Sequence, residues 1–408
     1  MIIVNSDIAY ITRFNPAIFP RPLFMKKAIP ELNIYLLSIK QSICNRPLNQ
    51  QLTNIGRKGE NHRVNQIRNV HNLLNIIKRR DPSRIIEPCY RQDGSYNALS
   101  LIEETTYGTL FFRRLREKYV IIKNTVGALA AINNRKEVII DLMDLWHCNR
   151  DYVIFNSIDA YVLRRTKCII AWSKAITVLL HKLFPEQCVE YVPFGIDLDF
   201  LDPLKVSPKL LFEKYPDLNG KIIVGYSGGG EKYHGIDKLI QAFALIEKLN
   251  KDEIYLVIQT WGQNQRILSL LRAYKIRHYR LIPGTPFNDI IRQSFLRASN
   301  ILVLTASKSP GVYLAERSTM FHYMASGNAI IAEKTPGVLG VLRHGETAYI
   351  FKFDDIKDLA DNILLLINDK HLMRKLGMNA RHELETKYSW DNALKDKVIA
   401  LLNKVMSE

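Results

Sequence analysis

The stretch ERSTMFHYMASGNAIIAEKTPG, residues 316–337, decides the fold class. Ser318 and Thr319 suit a helix start, Gly327 suits a left-handed helix end, and residues 328–332 read as a buried strand before a Thr-Pro-Gly turn. A short helix feeding a buried strand is the repeat unit of an α/β sheet, and the N-terminus of such a helix favours an anion. His322 stands in the middle of it, a titratable residue in a largely apolar run.

Working outward, the same alternation fills the second half of the chain. GKIIVGYSGGG, IYLVIQT, YRLIPG and NILVLTA read as strands, separated by the helical patterns GIDKLIQAFALIEKL, NQRILSLLRAYK and NDIIRQSFLRA. The first half repeats the pattern from MIIVN and LNIYLLSI through KYVIIKN, KEVIIDLMDLW and KCIIAWS to VEYVPFGI, with NQIRNVHNLLNIIKRR read as a helix and SRIIEP as a strand. ITRFNPAIFPRPLFMKKAIP reads as a loop, and Arg21 within it as a solvent-exposed side chain. Two consecutive parallel, doubly wound sheets with a cleft between them follow. At 408 residues the chain exceeds a single core. The expected division is residues 1–203, 204–385 and a C-terminal helix, 386–408, crossing back to the first domain.

Bulk properties narrow the function classes. Cys44, Cys89, Cys148, Cys168 and Cys188 are scattered with no Cys-x-x-Cys pair, which argues against a disulfide framework or a zinc site. No apolar run reaches the ~18 residues of a spanning helix, so a cytoplasmic protein is expected, with peripheral attachment to the inner membrane face as an extension. Lys and Arg number 57 against 40 Asp and Glu, a formal net charge of +17 that favours anionic partners: nucleotides, nucleic acid or an anionic membrane surface.

SGGGEKYHG, residues 227–235, follows a strand and precedes a helix, an arrangement that brings backbone amides up to a phosphate. Gly228, Gly229 and Gly230 are consecutive and no acidic residue ends the next strand, so neither the dinucleotide fingerprint nor a P-loop is matched. Lys232 and His234 beside them suit a diphosphate, and a flexible turn is the simpler alternative.

These segments carry a resemblance. YVPFGIDLDFLDP, VGYSGGGEKYHGIDKLIQAF, LIPGTPFNDIIRQSFLRASNILVLTAS, FHYMASGNAII with TPG, HGETAYIFKFDDIKDLADNI and LGMNARHELETKYSWDNA occur in unbroken order over roughly Ile169 to Lys404. Together they resemble the family 4 retaining glycosyltransferases, which have the GT-B fold of two Rossmann-like domains. The resemblance implies a metal-independent transfer of a sugar from a nucleotide diphosphate to a hydroxyl of a glycan, lipid-linked or protein-linked acceptor, with retention of configuration and no cofactor.

It also implies a donor site at Gly228, Gly229, Gly230, Lys232, His234, Gly284, Thr285, Ser318, Thr319 and His322. The family places one glutamate where His322 stands and another where this chain has Leu314. Glu316 and His322 are read as their substitutes, and Lys232 as the fixed charge on the diphosphate. In the first half, VIIDLMDLWHCN ends a strand with Asp144 and His147, where the resemblance implies a side facing the acceptor; these two with Glu316, which approaches the sugar, make up the catalytic candidates. The basic stretches RKGENHRVNQIR and IKRRDPSR favour a lipid-linked acceptor at a membrane. The alternatives are a binding or scaffold protein that has lost its glutamates, or another GT-B enzyme such as a nucleotide-sugar epimerase or a DNA glucosyltransferase. Nucleic acid is the less favoured partner.

Overall fold

The computed structural model describes residues 7–13, 20–38, 98–145, 157–199, 202–249 and 253–407. Two six-stranded parallel sheets form the frame, as expected of the GT-B class. The first comprises β1 (Ile8–Thr12), β2 (Asn33–Leu36), β3 (Tyr119–Lys123), β4 (Glu137–Leu142), β5 (Cys168–Ala171) and β6 (Val189–Tyr191), in the order β2-β1-β3-β4-β5-β6. The second comprises β7 (Ile222–Gly229), β8 (Ile254–Trp261), β9 (Tyr279–Pro283), β10 (Ile301–Leu304), β11 (Ala329–Glu333) and β12 (Tyr349–Phe351), in the order β12-β11-β10-β7-β8-β9. Helices cover both faces of each sheet, so the strands are apolar runs rather than alternating ones. Every residue of β1, β3, β5, β10 and β11 is buried.

In the second sheet the connections run outward in both directions from the β7–β10 pair. Open α/β sheets leave a crevice at the carboxyl ends of such strands. Here those ends are Gly228, Gly229 and Leu304. The glycine run is therefore not a free turn: β7 continues through Gly229, which lies opposite Trp261 of β8. The chain then turns at Gly235, whose φ of 75° is left-handed and where a Cβ would stand 2.9 Å from the Ala306 carbonyl oxygen. No other residue fits that turn without displacing backbone.

Some local expectations are corrected, and others lie outside the described residues. Residues 21–28 form a helix, Arg21–Ala28, rather than a loop, because Pro20 and Pro22 sit at its start, where no amide donor is needed. The first described strand begins at Ile8; MIIVN, the helix NQIRNVHNLLNIIKRR, the strand SRIIEP and both basic stretches lie outside the described residues. The helix Ser318–Ser326 is preceded by Arg317 at the N-cap, so Ser318 is its first residue and neither hydroxyl caps it; Gly327 does end it, with φ of 69°.

Arg21 is fully buried rather than exposed. Its guanidinium pairs with Asp141 at 3.2 Å, donates to the carbonyls of Val192, Pro193 and Phe194, and lies between the rings of Trp172 and Trp390. Trp390 belongs to the C-terminal segment, and its indole donates to the Phe194 carbonyl at 2.9 Å. Beyond it the helix Lys395–Ser407 packs on the first domain, where the Tyr119 hydroxyl donates to the Met406 carbonyl at 3.2 Å. Arg21 thus ties the junction between the sheets to the returning chain. No described helix is long and apolar enough to cross a membrane.

Candidate functional site

A cleft of about 510 Å³ opens between the carboxyl ends of the two sheets, within the size range of small-molecule sites. The second domain contributes Gly228 and Gly229 from the end of β7, Trp261 from β8, Phe287 and Arg292 from the segment after β9, and the run from Ala315 to Thr319. The first domain contributes Arg13, Met143 and Asp144 from the ends of β1 and β4. Asp144 therefore faces the donor wall across the cleft; His147 lies outside the described residues.

The cations of this cleft are not the expected ones. Lys232 is exposed and is not among the residues lining the cleft. His234 does line it, but burial, with Arg317 nearby, pushes its imidazole down to about 3, so it is neutral. Its Nδ1 lies 3.4 Å from an Arg317 Nη, which makes it an acceptor for the guanidinium rather than a charge in its own right. Arg317 also donates to the Thr305 carbonyl at 2.7 Å, and so is held by the ends of both central strands.

Arg292 is 1% exposed, sits in the helix Ile290–Ala298 behind its cap Asp289, and stacks against Phe287 at 4.4 Å. Its Nε has no hydrogen-bond partner among the described residues. Neither Arg292 nor Arg317 has a carboxylate partner among the described residues, and burial lowers the pKa of both, Arg292 to about 10. Two guanidiniums facing one cleft with no carboxylate in ion-pair contact among the described residues suit an anion. The first amides of the helix Ser318–Ser326 face the same space, and a helix N-terminus adds partial positive charge.

His322 does not line the cleft. It is fully buried behind Phe287, ring centroids 4.3 Å apart, with Nδ1 3.3 Å from an Arg292 Nη. Burial and Arg292 hold its pKa well below the usual imidazole value. Its position supports Arg292 from behind instead of meeting a ribose. Two neutral imidazoles, His322 fully buried and His234 half-buried, set a pH dependence. An unfolded histidine protonates near pH 6.5 while these resist, so stability is full above that pH and is lost as pH falls toward about 3. Urea midpoints should fall between pH 7.5 and 5, and His234→Gln should flatten the slope.

Glu316 borders the cleft, yet both its oxygens are taken: Oε1 accepts from the Lys174 amide at 2.8 Å and Oε2 from the Tyr191 hydroxyl at 2.6 Å. It is not poised over a sugar as a free carboxylate. Gly284 is locked under the Trp261 indole, where a Cβ would stand 2.7 Å from the ring, and its amide donates to the Thr260 carbonyl. The Thr285 hydroxyl accepts from Gln259 at 3.4 Å. The Gly230 carbonyl is taken by Arg266 at 2.8 Å, which leaves Gly228 and Gly229 as the glycines on the cleft.

Sequence reading missed Arg292, Arg317, Trp261, Phe287 and Arg13. The available signal was a charged residue inside an otherwise buried helical run, IIRQSF and ERSTMF. Among the described residues, the acidic group able to share an ion is Asp197, Asp199 and Asp391, and Lys27 occupies it with contacts of 3.1, 2.8 and 2.8 Å.

With this geometry in view, comparison with known proteins locates the chain. Residues 209–383 match the family of glycosyl transferases, group 1. An uncharacterized glycosyltransferase of Methanocaldococcus jannaschii is 21% identical over 247 residues, 60% of this chain and 60% of that one. The capsular polysaccharide biosynthesis glycosyltransferase CapM of Staphylococcus aureus is 25% identical over 225 residues, 54% of this chain and 57% of that one. The chain thus spans about 60% of the length of the curated relatives it matches. Among solved structures, Anabaena HepE in complex with UDP superposes with a TM-score of 0.66 at 13% identity, covering 98% of this chain and 100% of that one. At that identity the likeness is one of fold.

Proposed function

We propose that this protein is a nucleotide-sugar glycosyltransferase, binding the donor diphosphate against the second domain and a hydroxyl acceptor against the first. The carrying observation is the pair Arg292 and Arg317, two guanidiniums without carboxylate partners among the described residues, beside the first amides of the helix Ser318–Ser326. Transfer requires stabilising the charge that grows on the leaving diphosphate, and preorganised donors in a water-poor cleft supply that. Arg317, Arg292 and the amides of Ser318 and Thr319 do so without a metal, and Gly228 and Gly229 let the donor approach the β7 edge. Trp261 and the Gly284–Thr285 backbone border the base. Asp144 faces the acceptor hydroxyl from the opposite wall.

In this reading configuration is retained because the leaving phosphate guides the incoming hydroxyl to the face it departs from, so that no enzymic nucleophile is needed. CapM, a capsular polysaccharide enzyme by its name, supports a glycan or lipid-linked acceptor, and the net charge of +17 supports work at an anionic membrane surface. The HepE complex with UDP makes uridine diphosphate the first donor fragment to try.

Thermal unfolding against uridine, guanosine, adenosine and thymidine diphosphates and their sugars tests the proposal. A ligand at 100 times its Kd should add ~2.7 kcal/mol. Failure of every nucleotide at millimolar concentration would remove it. Leu314 and His322 in place of the family's glutamates favour a second reading, a donor-binding protein without transfer; nucleotide-dependent stabilisation with no sugar released to any acceptor or to water would support it.

A further inference from the structure

We infer that Glu316 is a positioning residue: it clasps the second domain to the first and so fixes Arg317 and the start of the helix Ser318–Ser326 over the cleft. The inference rests on the proposed function only for its catalytic consequence. The contacts of the clasp stand independently of it.

The helix Lys174–Leu183 follows β5 of the first sheet, and Ser173 stands at its N-cap. Serine there normally accepts a hydrogen bond from its own helix, but this one makes no such cap. Its hydroxyl donates across the cleft to the Leu314 carbonyl at 2.5 Å. The helix amide at Lys174 is met instead by Glu316 Oε1, from the other domain. A carboxylate at a helix N-terminus is the favourable sign for the helix dipole. Tyr191, at the end of β6, donates to the second oxygen, and the Lys174 ammonium reaches the Gly340 carbonyl at 2.6 Å.

Four hydrogen bonds thus join residues 173, 174 and 191 to residues 314, 316 and 340, all across the domain divide. Glu316 is 1% exposed, so the carboxylate end of the clasp is buried, and its loss takes a partner from the half-buried Tyr191 hydroxyl and from the Lys174 amide. Arg317, the next residue along the chain, lines the cleft. A shift of Glu316 therefore moves a guanidinium placed on the donor.

The decisive comparison is small-angle X-ray scattering of the unliganded protein and of Glu316→Ala, Glu316→Gln and Gly340→Ala. Gly340 lies at φ −65° and ψ −25°, which any residue tolerates, but a Cβ there would stand 2.6 Å from Glu316 Oε1 and dislodge the carboxylate from the second-domain side. Both alanine variants should unfold cooperatively yet scatter with a larger radius of gyration, and Glu316→Gln, whose amide oxygen still accepts from Lys174, should return toward wild type. Should Glu316→Ala fail to fold, Gly340→Ala and Tyr191→Phe carry the same expectation in milder form. Folded variants that scatter as wild type would overturn the clasp.

With a nucleotide sugar, kcat for transfer should fall on the order of tenfold and donor KM should rise, because Arg317 moves with Glu316, with a larger share of donor lost to water. A structural role alone would not move that partition. If scattering changes as expected but the wild type transfers no sugar, the clasp stands and the proposed function fails.

Discussion

Arg292→Met is expected to abolish most of the stabilisation by a nucleoside diphosphate while leaving the unliganded protein as stable as wild type or more so. The two effects separate because Arg292 is buried with no carboxylate in contact among the described residues, so its charge burdens the fold and an anion in the cleft relieves it. Methionine keeps the unbranched stem and removes the charge. A hydrogen bond to a charged group contributes about 1.5–3 kcal/mol, so the nucleotide Kd should rise roughly 10- to 150-fold. Titration calorimetry for binding and urea unfolding for stability check the pair of signs. Loss of stability with unchanged binding would assign Arg292 to the core. Arg317→Ala should weaken binding as strongly, with Thr305 and His234 losing a partner besides.

Asp141→Ala is expected to be among the most damaging single changes to the fold, lowering unfolding free energy by about 3–5 kcal/mol. Asp141 accepts from the Tyr10 hydroxyl at 2.5 Å, the Trp172 indole at 2.6 Å and the Arg21 guanidinium at 3.2 Å, all fully buried. Removing it strands a guanidinium that nothing else neutralises. Asp141→Leu combined with Arg21→Met should recover much of the loss, because replacing both members of a buried pair avoids an orphaned charge. If the double variant is no better than Asp141→Ala alone, the pair is not what holds the junction. Chemical denaturation of the single and double variants measures the coupling directly.

Arg21, Arg292 and Arg317 show how differently one residue type can be placed. Arg21, in a proline-rich stretch, reads as exposed and is in fact the centre of the domain junction. Arg292, within a helical run, and Arg317, just before a helix, carry no role in the sequence reading and in fact face the cleft. Lys232 and His234 stand beside the glycines in the chain, where a diphosphate partner is naturally sought. The strand pairing of Gly228 and Gly229 turns Lys232 outward, and burial holds His234 neutral.

Periodicity and punctuation determined most of the architecture: apolar runs of four to eight residues between amphipathic helices, with Gly327 ending one helix, can satisfy their backbone only in covered parallel sheets. The order of those runs also determined that two such sheets exist and that a glycine-edged strand opens the second. Tertiary structure alone decided which charges meet the cleft. Arg13, Asp144, Arg292, Arg317 and Trp261 come from strand ends and helices far apart in the chain, and burial rather than residue type sets which of them is charged, paired or turned away. The same holds for Glu316. Its neighbours in sequence place it on the cleft, but the Lys174 amide and the Tyr191 hydroxyl, more than a hundred residues away, claim both its oxygens.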